Sequence, residues 1–107
     1  MNPGEPIDYH VMEAMLDVER LDEIVAQVNA EDSWWFMNYE RALQRGEVLA
    51  SLMRLVKKGL VEVLLEVDDD ADPFKSCGPG VWPNVPLAEM HFEVTGRGLV
   101  RLLNWIR

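Results

Sequence analysis

Residues 52–67 read LMRLVKKGLVEVLLEV, and the rhythm of the stretch changes halfway along. In its first half Leu52, Leu55 and Val56 continue an apolar face begun by Val48 and Leu49, at helical spacing. In its second half Val61, Val63, Leu65 and Val67 alternate with Glu62, Leu64 and Glu66, the period of two of a half-buried strand. Lys57-Lys58-Gly59 stands at the change. Cations suit the last turn of a helix, where the backbone dipole is negative, and glycine accepts the left-handed conformation that ends one. The stretch predicts a helix over 47–58, a stop at Gly59 and a strand over 60–67.

Upstream, Ile7, Val11, Met15, Val18, Leu21, Val25 and Val28 recur every three or four residues with no Gly or Pro between 7 and 28. They form one apolar face, with acids on the other side, over a helical region at 7–29. It is either one long helix or two broken near Asp17. Asn29 to Ser33 (NAEDS) supplies cap residues, and a further helix is expected over 34–45, with a break at Gly46. Downstream, Asp68-Asp69-Asp70-Ala71-Asp72 ends the first strand, and a Gly/Pro-rich loop runs to about Met90. A second strand follows at 91–94. Thr95 caps a last helix over 96–106, whose inner stripe reads Leu99, Leu102, Leu103 and Ile106.

The chain has 107 residues, enough for one domain with one modest core; residues 1–6, with Pro3, Gly4 and Pro6, read as a short flexible arm before it. No apolar run approaches the roughly 20 residues that span a bilayer. The first ten residues lack the basic and apolar segments of a secretory leader. Cys77 stands alone, which excludes an internal disulfide and fits a reducing cytoplasm. The net charge is −9, unevenly spread: −8 over 1–33, +3 over 34–59, −6 over 60–73 and +2 over 74–107. A surface this acidic repels nucleic acid at long range.

The segments EVLASLMRLVKKGLVEV (47–63) and FEVTGRGLVRLL (92–103) resemble the recognition helix, wing strands and closing helix of the winged helix-turn-helix superfamily. The resemblance implies an α+β, mostly helical domain over 7–107, with a two-stranded wing (60–67 and 91–94) joined by a long acidic loop. That loop, 23 residues over 68–90, departs from the family's tight hairpin. The chain from 7 to 45 also holds more helix than a minimal winged helix requires.

The residues speak against most site chemistry. His10, Cys77 and His91 are isolated in sequence, and DDDAD lacks the Gly and distal Glu of a calcium loop, so no metal is expected. No base is linked by motif to Cys77 or to a serine, and GPG at 78–80 opens no phosphate-binding helix, so neither enzyme activity nor a cofactor is expected.

Two functions remain. The first is a small DNA-binding transcriptional regulator, dimeric, in which Arg54, Lys57 and Lys58 hold phosphates while Gln44, Arg45 and Ser51 lie near bases. Lys75 in the wing and Arg97 add backbone contacts. Against it, Glu47 at the start of the recognition helix would meet phosphate badly. The second is a winged helix that binds protein. Its candidate contacts, to a partner or a second copy, are Trp34, Trp82, Val100 and Trp105, and the loop residues Phe74, Trp82, Val85 and Leu87 either anchor a partner or tuck the loop down. Trp34 and Trp35 lie 100° apart on a helix, so one is expected inside and the other at the edge.

Overall fold

The computed structural model describes residues 6–15 and 17–106. Residues 1–5 of the expected arm lie outside the described residues, and Pro6 already belongs to the first helix. The elements run α1 (Pro6–Ala14), α2 (Leu21–Val28), α3 (Trp34–Tyr39), α4 (Arg45–Lys57), β1 (Val61–Glu66), β2 (Phe74–Ser76), a 3-10 turn (Leu87–Glu89), β3 (Met90–Val94) and α5 (Gly96–Ile106). The class is α+β: five helices around a three-stranded antiparallel sheet of order β2-β1-β3.

The helix stop falls where the Lys-Lys-Gly signal put it. Gly59 is left-handed (φ 75°), its N–H donates to Val56, and the Leu60 N–H reaches back to the Leu55 carbonyl at 3.0 Å. This pair of bonds closes the open carbonyls of the last turn. Thr95 then ties the start of α5 to the same place. Its N–H donates to the Leu60 carbonyl (3.0 Å), its Oγ1 donates to the Gly59 carbonyl (2.8 Å), and Oγ1 accepts from Gly98 N–H (3.0 Å).

The region 7–29 is two helices. Between them Glu19 exchanges both backbone hydrogen bonds with Phe92 (3.0 and 2.8 Å), so the link is drawn onto the free side of β3. The helix expected over 34–45 ends at Tyr39, not at Gly46. Glu40 takes a left-handed conformation (φ 51°), its N–H closing on Phe36, and Gly46 lies within the first turn of α4. Two contacts hold this early break. Trp35 Nε1 donates to the Arg41 carbonyl (2.7 Å), and the Asn29 amide pairs with both backbone groups of Leu43 (2.7 and 2.9 Å), which buries Leu43.

The two-stranded wing expected over 60–67 and 91–94 is instead part of a three-stranded sheet: the long loop contains a strand too short for periodicity to reveal, and that strand makes the hairpin with β1. Leu64, Leu65 and Glu66 of β1 pair with Ser76, Lys75 and Phe74 of β2, and the four aspartates sit in the turn between them. On the other side of β1, Val61 pairs with Val94 and Leu65 with Met90. The rest of the loop returns across the core, with Trp82, Val85 and Leu87 packed against it and the Trp82 ring 5.8 Å from Phe92. The core is Val11, Met12, Ile24, Val28, Val48, Leu52, Leu55, Val56, Val61, Val63 and Phe92, all nearly inaccessible.

A Cβ added at Gly98 would lie 2.0 Å from the Leu60 carbonyl oxygen, whereas one at Gly46 would meet nothing. Gly98→Ala should therefore cost about 3 kcal/mol, because backbone stands in the way. Gly59→Ala should cost roughly 1–2 kcal/mol from its left-handed backbone, and Gly46→Ala should be neutral or slightly stabilising. Urea unfolding of the three variants reads these costs directly.

Candidate interaction surfaces

The exposed face of α4 was the expected contact surface for DNA, and the structure places its residues differently from a simple helical wheel. Helix α1 lies against α4 on a second side, so Ser51, expected outside, is fully buried. Its hydroxyl donates to Asp8 Oδ1 (2.7 Å). Arg54 reaches the same carboxylate, with Nη2 at 2.6 Å from Oδ1 and Nε at 3.2 Å from both oxygens. Asp8 itself is 2 % exposed. A carboxylate that deep requires a charge partner, and Arg54 supplies it from a position 40 % exposed.

Other cations of the region are also held within the chain. Arg45 pairs with Asp22 (2.9 Å) and Lys75 with Asp72 (3.0 Å). Arg41 lies over the Trp35 ring, 5.2 Å from its centre, and grips Glu47 with two nitrogens at 3.2 Å. Those hydrogen bonds, then the Gln44 N–H, hold the Glu47 carboxyl below the usual range. Gln44 is the N-cap of α4 and its backbone N–H donates to Glu47 (3.0 Å). Among the described residues Lys57, Lys58 and Arg97 form no ion pair, and Arg97 extends beside Gly59 at the end of α4.

Helix α5 also presents a face other than the one expected. Its inner residues are Gly98, Leu102 and Trp105, spaced by four and three, and the Trp105 ring stacks on Tyr9 at 4.8 Å. The close approach at Gly98 turns the helix so that Leu99, Leu103 and Ile106, expected inside, are 51, 55 and 43 % exposed, beside Val100 at 60 %. Of the four candidate contacts, Val100 and Trp34 (44 %) are exposed, while Trp82 and Trp105 are half-buried against the core. Trp35 is the buried member of its pair, at 3 %. A glycine four residues before a leucine and seven before a tryptophan was the signal that could have set this rotation in advance.

Beside Leu99 a shallow cleft is lined by Met15, Asp17, Glu93 and Val94. Burial raises the Glu93 carboxyl above the usual range, and the charges of Glu62 and Asp17 raise it further. A larger cleft of about 320 Å³ lies between Arg20, Leu65, Glu66, Ala88, Glu89 and His91. Among the described residues no group of His, Cys, Asp and Glu is placed to hold a metal ion, and no helix is long and apolar enough to cross a membrane.

His10 is buried among aromatic rings: Trp35, Tyr39 and Trp105 all meet it edge-on, with centres 5.0–5.7 Å away. Burial lowers its pKa from the ordinary 6.5, and its Nδ1 finds no hydrogen-bond partner among the described residues. It acts as an aromatic filler held neutral.

Compared with known proteins, the chain matches no family model, no curated sequence and no solved structure. What the geometry defines is therefore a class: a small α+β domain in which Arg45 and Arg54 of α4 are paired with acids and α5 presents an apolar outer face.

Two predictions concern the buried groups. Arg54→Ala leaves Asp8 buried without its cation and should cost about 2 kcal/mol in urea unfolding, below the usual range because Arg54 is partly solvated. The double variant Asp8→Asn/Arg54→Ala should cost less than the two single costs added. For His10, the unfolded state binds a proton near pH 6.5 and the folded state only at lower pH. Its stabilising contribution is thus complete above 6.5 and is lost as the pH falls below it. Glu13 and Glu93, raised by burial, work in the opposite direction, gaining stability as they protonate above about 4.5. A His10→Phe variant should accordingly lose less stability than the parent between about pH 7 and pH 5.5.

Proposed function

We propose that this chain is a winged-helix protein whose work is to dock protein rather than to read DNA. The layout supports the winged-helix part. α4 occupies the recognition-helix position and runs through Gly59 into β1, β1 and β2 make a wing hairpin with an acidic tip, and Thr95 starts the closing helix. The single observation that carries the functional part is the commitment of the α4 face to intramolecular pairing. Ser51 and Arg54 serve Asp8, Arg45 serves Asp22, and Glu47 is fixed at the helix start. A recognition helix needs such side chains free to reach base edges and phosphates. The net charge of −9 adds long-range repulsion, and the apolar outer face of α5 offers a protein what α4 does not offer DNA.

The second reading is a dimeric DNA-binding transcriptional regulator in the cytoplasm, and one observation favours it. Lys57, Lys58 and Arg97 gather near Gly59 without acidic partners among the described residues. Fluorescence anisotropy with a labelled mixed-sequence duplex, titrated from low to physiological salt, separates the two. The docking reading expects no binding up to about 10 µM even at low salt. Micromolar binding that weakens steeply with salt and disappears in Lys57→Glu/Lys58→Glu would overturn it in favour of the regulator.

A further inference from the structure

The exposed stripe of α5 has a feature that chooses its occupant. At 100° per residue, Leu103 lies about 40° and Val100 about 100° from Leu99, so the three form one band, which Ile106 extends on the far side of Leu99. Arg97 and Arg101 lie roughly 160–200° from Leu99, beyond Val100. The opposite border, at Leu99, is the cleft with Asp17 and Glu93, and Glu62 acts on Glu93 from the neighbouring strand. The band is therefore apolar in the middle, basic along one border and acidic along the other. Among the described residues no cation pairs with Asp17, Glu62 or Glu93, and no acid pairs with Arg97 or Arg101. A surface with opposite unpaired charges on its two borders is complementary to itself.

We propose that the outer face of α5 binds the same face of a second copy, with the two-fold axis running along the helices so that they lie parallel. Rotation about that axis exchanges the borders, so Arg97 and Arg101 of each copy meet the acidic border of the other. An axis across the helices would instead make them antiparallel and set like charge against like. The area is sufficient. The exposed parts of Leu99, Val100, Leu103 and Ile106 present on the order of 400 Å² of contiguous apolar surface, within the range of the largest patch on a monomer, which is often functional. That is about half of the roughly 800 Å² per partner in a stable interface, and apolar atoms supply a little over half of such interfaces. The rest comes from the charged borders. The α5 sequence carries no acid between Gly96 and Ile106, so the acidic border comes entirely from Asp17 and the sheet. The pairing thus requires the folded domain and not an isolated helix.

This inference rests on reading the outer face of α5 as the docking surface. Sedimentation equilibrium of the full chain should show a monomer–dimer equilibrium with a Kd of about 1–10 µM at low salt, weaker at high salt because the borders are exposed. Leu103→Asp should be a monomer with unchanged circular dichroism. Arg101→Glu should raise the Kd about tenfold. Orientation is read by placing single cysteines at Leu99, Leu103 or Ile106 in a Cys77→Ser background. A parallel pair keeps each residue level with its own copy, so Leu103, at the middle of the band, and Leu99, one turn before it, should both cross-link under mild oxidation and Ile106, farther from the axis, more slowly, while Met53→Cys on α4 should not. A parent chain that stays monomeric at about 100 µM overturns the proposal, as does cross-linking at a single position. A monomer without duplex affinity would overturn the second copy alone and leave the docking reading standing. A dimer that binds duplex in the salt-dependent manner described above would overturn the docking reading instead.

Discussion

The Leu60 carbonyl oxygen is the point on which the architecture turns. It accepts the Thr95 N–H, and it sits so close to Gly98 that no side chain fits between. Three residues before it α4 ends, and one residue after it β1 begins. Helix ends leave backbone groups open, and buried ones must find partners. Here the end of one helix, the start of a strand and the start of another helix satisfy one another across Gly59, Leu60, Thr95 and Gly98. Because the approach at Gly98 allows one rotation of α5, the same contact decides which leucines are covered and which remain outside. The surface chemistry of the last helix is thus set by a backbone contact at its first turn.

A second constraint is electrostatic. With nineteen acids against ten Lys and Arg, the chain has few cations to spare. Three of the five basic residues between 34 and 59 are drawn into ion pairs: Arg41 to Glu47 within the segment, and Arg45 and Arg54 to Asp22 and Asp8 outside it. A positive stretch of sequence is therefore not a positive surface. Two of these pairs also fasten elements together, Arg54 holding α1 to α4 and Arg45 holding α2 to the start of α4. The two differ in weight: Asp8 is buried, so losing Arg54 would strand a charge, whereas Arg45 and Asp22 are both exposed and their pair contributes little.

Much of the layout was legible because local chemistry and tertiary structure agree. Lys-Lys-Gly ended a helix, alternation made β1, and Thr95 capped α5. Where they disagreed, the reading failed for identifiable reasons. Glu40, not a glycine, takes the left-handed turn, because Trp35, Asn29 and Leu43 fix the chain around it. Strand β2 is three residues, too short to show alternation, and its order comes from pairing with β1. Ser51 is polar and was placed outside, since nothing near it in sequence shows the carboxylate of Asp8, 43 residues earlier. The two helices at the N-terminus were left undecided by periodicity, and a single bridge from Glu19 to Phe92 settles them. A single helical wheel, on which Ser51 and Arg54 fall outside, assumes that a helix is covered on one side. α4 is covered on two.

The order of the sheet bears on how this chain behaves at high concentration. A sheet grows by adding strands at its edges, which is how folded domains recruit one another into fibrils. One edge here is β2, three residues long and beginning beside a turn of four aspartates whose charges repel an incoming copy. The other is β3, where Glu19 already occupies the hydrogen-bonding groups of Phe92 at the middle of the strand. Neither edge offers a run of free backbone to a neighbour. Whatever the apolar helix surface meets, the sheet beneath it is closed to the more dangerous form of growth.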